Sequence, residues 1–278
     1  MYLLAGVLAF VVRVVLRYRV GVARENLRLS LPELDGATRE RVLREHYRST
    51  ADVLIELPRL CVMGPEELLR RVRHPDLVLP RADLEAGRPV LLLAAHHCNW
   101  EWLLQATALG LGAPFFAGYK PPHSAWADRL MLAVRSRFGV QLLPGKRLLR
   151  EVLRRRGSAH VLGMVADQMP TSSPGRVWLR FLGRDTAFFP GPAELARAGG
   201  YRVYFLTQRR LRPGHYEAHC EPLNAPGEVL DVPTLTARYA ARLETHVRAY
   251  PADWAWTHRR WKLQRPAVAA APARAGSR

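Results

Sequence analysis

The 278-residue sequence predicts an α/β fold, a mainly parallel central sheet flanked by helices, with an N-terminal membrane-associated helix. Three observations predict it. From Arg88 onward short apolar runs alternate with helical patterns, as strand and helix units do when helices cover a parallel sheet. Residues 2–16 are apolar on nearly all sides. Polar and titratable residues gather where one apolar run stops, from His96 to Trp102, and the carboxyl edge of an open α/β sheet is where ligands bind.

The elements follow in chain order. The segment Tyr2 to Leu16 (YLLAGVLAFVVRVVL) is interrupted by Arg13 and leads into Arg17, Arg19 and Arg24. At about 1.5 Å per residue it reaches roughly 22 Å, short of the ~30 Å hydrocarbon core, which fits a monotopic or short spanning anchor. No charged region precedes it and no small-residue cleavage site follows, so a removable signal peptide is not expected. The arginines behind it favour the cytoplasmic side, where anionic headgroups attract them. The competing reading is a buried first helix of a soluble domain. A helix opened by Thr38 then places Leu43, Tyr47, Ala51 and Leu54 on one core-facing stripe. Strands are expected from Pro89 to Ala95, Val140 to Leu143, His160 to Ala166, Val177 to Leu182, Tyr201 to Thr207 and Tyr216 to Cys220. Helices are expected from Trp100 to Leu109, Ala125 to Phe138, Arg147 to Arg156, Pro192 to Ala198 and Thr234 to Tyr250. The division is an anchor over 1–24, one domain over 25–265, and a tail over 266–278 whose scarcity of large apolar residues predicts disorder.

Composition narrows the function classes. A hydrophobic fraction of 49% fits a folded globular chain. The formal charge of +18 implies a polyanionic partner: nucleic acid, anionic lipid or an acidic carrier protein. Charge alone does not choose among them, and an arginine-biased genome accounts for part of the excess. Lysine occurs only at Lys120, Lys146 and Lys262, and arginine's planar fork suits bidentate phosphate contacts. The 3 cysteines, Cys61, Cys98 and Cys220, form neither an even set nor a CxxC spacing, which argues against a disulfide framework or a structural zinc site.

The chemistry sits at the break His96-His97-Cys98-Asn99-Trp100-Glu101-Trp102. Asn99 is a good N-cap, chiefly a helix-start residue and also a substrate-side candidate, while Gly110 supplies the helix end. Glu101 then lies in the first turn and can fold back toward His96. A carboxylate on one ring nitrogen fixes the tautomer, so the other nitrogen can take a proton from a hydroxyl that attacks an acyl thioester directly. Arg135 and Arg137, near a helix end, are candidates for phosphate or phosphopantetheine contacts, with Lys120 a weaker one; solvated surface charge explains each singly. Asp167 and Gln168, at another strand's carboxyl end, lie beside the pair if the two strands are neighbours, or else serve as turn and cap residues. Three rivals compete: a Cys/His hydrolase built on Cys98, a metal site on His96, His97 and Cys98, and a basic nucleic-acid binder using the Trp254 to Trp261 mixture of aromatics and arginines.

The stretch AAHHCNWEW resembles the H-x4-D/E motif of the lysophospholipid acyltransferase superfamily, and in particular the H-x-x-N-W-E form of the lipid A biosynthesis lauroyl/myristoyl acyltransferase family. Other segments agree in order: RENLRLSLPEL from Arg24, with Leu31 in place of the usual phenylalanine, AVRSRFGVQLLPG from Ala133, VADQMP from Val165, FLGRDTAFFPGPAELAR from Phe181 and WAWTHRRWK from Trp254. The resemblance implies a glycerol-phosphate/lysophospholipid acyltransferase-type fold on the cytoplasmic face of the bacterial inner membrane. It also implies an acyl carrier protein or coenzyme A thioester as co-substrate, no cofactor or metal, no nucleic acid, and a membrane lipid acceptor. His96 would be the general base and Glu101 its partner. A lysophospholipid, a phosphoinositide mannoside or a polyene lipid are alternative acceptors served by the same motif.

Overall fold

A computed structural model describes residues 2–121, 124–170 and 175–266. Helices α1 (Tyr2–Phe10), α2 (Val20–Ser30), α3 (Gly36–Glu56) and α4 (Pro65–Arg71) precede the short strand β1 (Val72–Arg73), α5 (Val78–Glu85) and β2 (Val90–Ala94). Then come α6 (Trp100–Leu111), β3 (Phe115–Tyr119), α7 (Ala125–Arg135), β4 (Gln141–Pro144), α8 (Leu148–Arg154) and β5 (Val161–Val165). The hairpin β6 (Val177–Phe181) and β7 (Arg184–Phe188) leads to α9 (Gly191–Gly199), β8 (Arg202–Arg212), β9 (His215–Pro222) and α10 (Val232–Ala249).

Among the described residues the central sheet has the order β1-β9-β8-β2-β5-β3-β4, and every pairing is parallel except β8 with β9. Strand β2 is buried along its whole length. Its side chains divide with the two-residue period of a strand. Leu91 and Leu93 join one core with α1, α2, α3, α9 and α10, while Val90, Leu92 and Ala94 join the other with α4, α5 and α6. Burial on both faces is what makes this strand read as an unbroken apolar run.

The N-terminal segment is helical over Tyr2–Phe10 and continues as a π-turn over Val11–Val15 before Arg17 and Arg19 adopt left-handed φ of 49° and 52°. Ala5 and Ala9 pack against α3, with Leu3, Leu4, Val7 and Phe10 exposed on the outer side. No described helix is long and apolar enough to cross a membrane.

Several expected boundaries shift for local reasons. Helix α3 is capped by Asp35, whose carboxylate accepts from the Thr38 backbone N–H at 2.6 Å. Leu43, Tyr47 and Ala51 are buried as expected, but Leu54 is exposed, because the last turn buries Asp52, Val53 and Glu56 instead. Helix α6 runs past Gly110 to Leu111 and ends on Gly112 at φ +62°. Gly110 has a packing role: a Cβ there would lie 2.5 Å from Leu77 Cδ1. The tail expected to be disordered falls, apart from Pro266, outside the described residues.

Candidate active site

Strands β2 and β5 are parallel neighbours with Ala94 opposite Val165, and the chain leaves them in opposite directions. From β2 it passes through α6 to β3 on one side; from β5 it returns through β6, β7 and α9 to β8 on the other. The crevice at such a switch point is where an open α/β sheet binds ligands. His96 stands two residues beyond β2 and Asp167 two residues beyond β5, so the register brings them level.

His96 Nδ1–H donates to Asp167 Oδ1 at 2.7 Å, and the His96 backbone N–H donates to Oδ2 at 3.1 Å. The Trp254 indole N–H also donates to Oδ2, at 2.9 Å. Asp167 is 2% exposed and accepts three bonds, which fixes both its own position and the imidazole tautomer. The Nε2 lone pair is thereby left toward the cleft, where Gln168 Nε2 approaches it at 3.2 Å. The Trp100 ring meets the imidazole edge-on at 5.2 Å.

The orienting carboxylate expected from the sequence was Glu101, and here the structure differs: the hydrogen bond to His96 comes from Asp167. Glu101 is turned toward α7. Arg135 grips it with both guanidinium arms, Nε–H donating to Oε2 at 2.8 Å and the second arm to Oε1, and the Trp100 indole donates to Oε1 at 3.0 Å. A bidentate arginine outcompetes an imidazole one helical turn back for the same oxygens. Glu101 still acts on His96 through its charge.

Burial by itself would lower the His96 pKa, but the charge and hydrogen bond of Asp167, helped by Glu101, outweigh it and hold the imidazole above its ordinary 6.5. Burial likewise works against the Asp167 carboxylate, and the His96 charge with the His96 and Trp254 bonds overcomes it, holding Asp167 below its usual range. The two groups thus favour an ion pair when His96 is protonated.

His96 opens on a cleft of about 330 Å³. Trp100, Glu101, Lys120, Arg135 and Gln168 line it together with the apolar Leu92, Leu103, Leu104, Phe115, Leu142 and Met164. Gly163 permits that packing, because a Cβ there would meet the Phe115 ring at 2.9 Å. Of the predicted site residues, His96, Glu101, Lys120, Arg135 and Gln168 line this cleft, and Asp167 lies beneath it. Arg137 does not join Arg135; its guanidinium donates to the Leu60 carbonyl. Asn99 is a buried cap, its Oδ1 accepting from Trp102 N–H at 3.0 Å.

The rival readings meet specific obstacles. Cys98 is 1% exposed, its thiol faces the Gln208 carbonyl at 3.3 Å, and burial pushes its pKa well up, so no thiolate is on offer. Cys98→Ala is expected to leave kcat within about threefold and to cost about 1 kcal/mol in an unfolding experiment, the scale of one weak buried contact. Among the described residues no three His, Cys, Asp or Glu side chains are grouped to hold a metal. Trp254, Trp256 and Arg260 are buried, so most of the C-terminal mixture of aromatics and arginines packs inside the fold, with Arg259 exposed beside it. Asn26, in the Arg24 to Leu34 segment, donates to the Trp256 and His258 carbonyls at 2.8 and 3.0 Å and locks that C-terminal motif over the site. Trp100, Trp254 and Asn26 lie within the quoted motifs, but their roles depend on contacts that only the fold supplies.

Comparison with known proteins agrees with the geometry. The palmitoleoyltransferase of lipid A biosynthesis from Escherichia coli (strain K12) is 24% identical over 255 residues, covering 90% of this chain and 80% of the relative. A lipid A biosynthesis acyltransferase from Shigella flexneri shows the same identity and coverage. The family model for bacterial lipid A biosynthesis acyltransferases matches residues 2–263, from the first described helix through the closing motif that holds Asp167. A match of that extent, over a His96–Asp167 pair beside a cleft, places the chain in the bacterial lipid A biosynthesis acyltransferase family and makes it an acyltransferase enzyme.

Proposed function

We propose that this enzyme transfers a fatty acyl group from an acyl carrier protein or coenzyme A thioester to a hydroxyl of a lipid A precursor, with His96 as general base. The supporting observation is the His96 Nε2 lone pair, held by Asp167, on a cleft lined in part by polar and basic residues and in part by apolar ones. The apolar part suits an acyl chain, and Lys120 and Arg135 suit the phosphates of acceptor or phosphopantetheine.

In the transfer, the acceptor hydroxyl displaces Gln168 from Nε2 and gives its proton to the imidazole as its oxygen attacks the thioester carbonyl. The freed Gln168 amide N–H is then positioned to donate to the developing oxyanion. Collapse of the tetrahedral intermediate forms the ester and expels the thiolate, which takes the proton back from His96. Asp167 stabilises the transient imidazolium, and Glu101 adds its negative charge while holding Arg135 at the cleft.

The membrane has a place in the same reading. The outer side of α1 exposes Leu3, Leu4, Val7 and Phe10, with Arg17 and Arg19 following. In this reading the helix lies in the membrane interface with its arginines toward anionic headgroups, and the enzyme works on the cytoplasmic face of the inner membrane. The experiment is direct. Purified protein is incubated with a lipid A precursor in mixed micelles and acyl thioesters of graded length, and the lipid is read by mass spectrometry. The precursor is expected to gain the mass of one acyl chain. Acylation of lysophospholipid alone, or hydrolysis of thioester with no lipid gain, overturns the assignment.

A further inference from the structure

Behind the site lies a buried polar connection that the transfer chemistry does not use. Glu56, the last residue of α3, is 0% exposed, yet its carboxylate collects three side-chain donors. Tyr216 OH donates to Oε2 at 2.7 Å, Asn99 Nδ2 to Oε2 at 2.8 Å, and Tyr2 OH to Oε1 at 3.1 Å. The Glu56 carbonyl also accepts from the Trp102 indole at 3.3 Å. Because Asn99 must turn its Oδ1 toward Trp102 N–H to cap α6, its amide N–H2 must face an acceptor, and Glu56 is that acceptor.

The other end of this connection is α1. Tyr2 reaches Glu56 past Gly214, which has φ +70° and where a Cβ would sit 2.1 Å from the Tyr2 hydroxyl oxygen. The Tyr2 carbonyl accepts from Arg48 at 2.5 Å, and Arg48 pairs with the buried Asp52 at 3.3 Å. Asp52 in turn pairs with Arg210 at 2.7 Å and Arg210 with Asp253 at 3.2 Å. The Asp253 carbonyl accepts the Cys98 backbone N–H at 3.0 Å. Two limbs therefore run from α1 to adjacent residues of the 96–101 turn, Cys98 and Asn99. That turn needs holding, since Cys98 sits at φ +50° without being glycine.

We infer that the seating of α1 on α3 sets the geometry of the 96–101 turn through Glu56, which makes Tyr2 and Glu56 positioning residues for acyl transfer. The inference rests on the proposed His96 chemistry, and it gives the helix with the exposed apolar side a second role, since its docking on lipid is felt at the catalytic turn.

Tyr2→Phe removes one hydroxyl from a partly exposed helix and is expected to fold. Asn99→Ser keeps an N-cap oxygen but loses the amide donor to Glu56. With the thioester on which wild type is most active, Tyr2→Phe should lower kcat about tenfold while KM for both substrates stays within about twofold, and in the Asn99→Ser background it should cost nothing further. Wild-type kcat in Tyr2→Phe, or losses that multiply in the double variant, overturns the relay. Amide hydrogen exchange gives a readout independent of turnover: Tyr2→Phe should speed exchange in the first turn of α6, including Trp102 N–H. Unchanged protection there overturns the relay whether or not lipid is acylated, whereas an inactive wild type with accelerated exchange in Tyr2→Phe sinks the function reading alone.

Discussion

Alanine in place of His96 should lower kcat by about 10²- to 10⁴-fold, the range that a positioned general base supplies. The substitution removes the proton acceptor and leaves the rest of the cleft in place. His96 is partly exposed and, among the described residues, its ring bonds only Asp167 and Gln168, so the fold should survive. The buried Asp167 carboxylate loses one of three donors, a cost of about 1–3 kcal/mol, and keeps Trp254 and the backbone N–H of residue 96. Steady-state acyl transfer beside thermal unfolding of the same sample separates the two effects. A folded His96→Ala enzyme within tenfold of wild type would remove the mechanism.

The second large effect is expected at Asp167. Asn is nearly isosteric, but it offers one acceptor oxygen where the site presents three N–H donors. If its oxygen faces His96 Nδ1, its amide N–H2 points at the His96 backbone N–H and the Trp254 indole. If it flips, the amide faces Nδ1 and drives the imidazole to the wrong tautomer, with the proton on Nε2 where the substrate proton must go. Either way kcat should fall by about 10²- to 10⁴-fold with little change in KM. Stability follows the sign of the same shift. Asp167 has a depressed folded-state pKa, so its contribution is present above its unfolded value of 3.8 and is lost as pH falls through the lower folded value. The difference in unfolding free energy between Asp167→Asn and wild type should therefore widen as pH falls through the raised His96 pKa, where wild type gains its ion pair, and narrow again below 3.8 as Asp167 takes up its proton.

How much of this was legible in the sequence depended on the range of the contacts. The Val90 to Ala95 run, its polar break and the Asn99 cap are local, and each appears in the structure where the sequence indicates. The partner of His96 is not local. It is fixed by the pairing of β2 with β5, residues some seventy positions apart, and sequence alone left Asp167 conditional on that neighbourhood. Strand β3 is not among the strands expected from the sequence, because Gly118 and, just past its end, Lys120 interrupt the apolar pattern. Strand β7, RDTAF, pairs with β6 through a Gly183 turn, and its polar start disguised it. Strand β8 continues through Arg209 to Arg212 because β9 pairs with it antiparallel beyond the core, where arginine is as acceptable as valine. The grip of Asn26 on the C-terminal motif spans 230 positions and left no local trace.

The pH dependence of a single turnover tests the central claim most directly, since a general base must be neutral to act. The His96 pKa lies above 6.5, so the transfer rate should climb as pH rises through that value and level off once the imidazole has lost its proton. In Asp167→Asn the residual rate should climb at lower pH, because the charge that raised the pKa is gone. A wild-type rate that is flat or falling across this interval, or a limb at the same pH in both proteins, would contradict the assignment of His96 as the base that Asp167 orients.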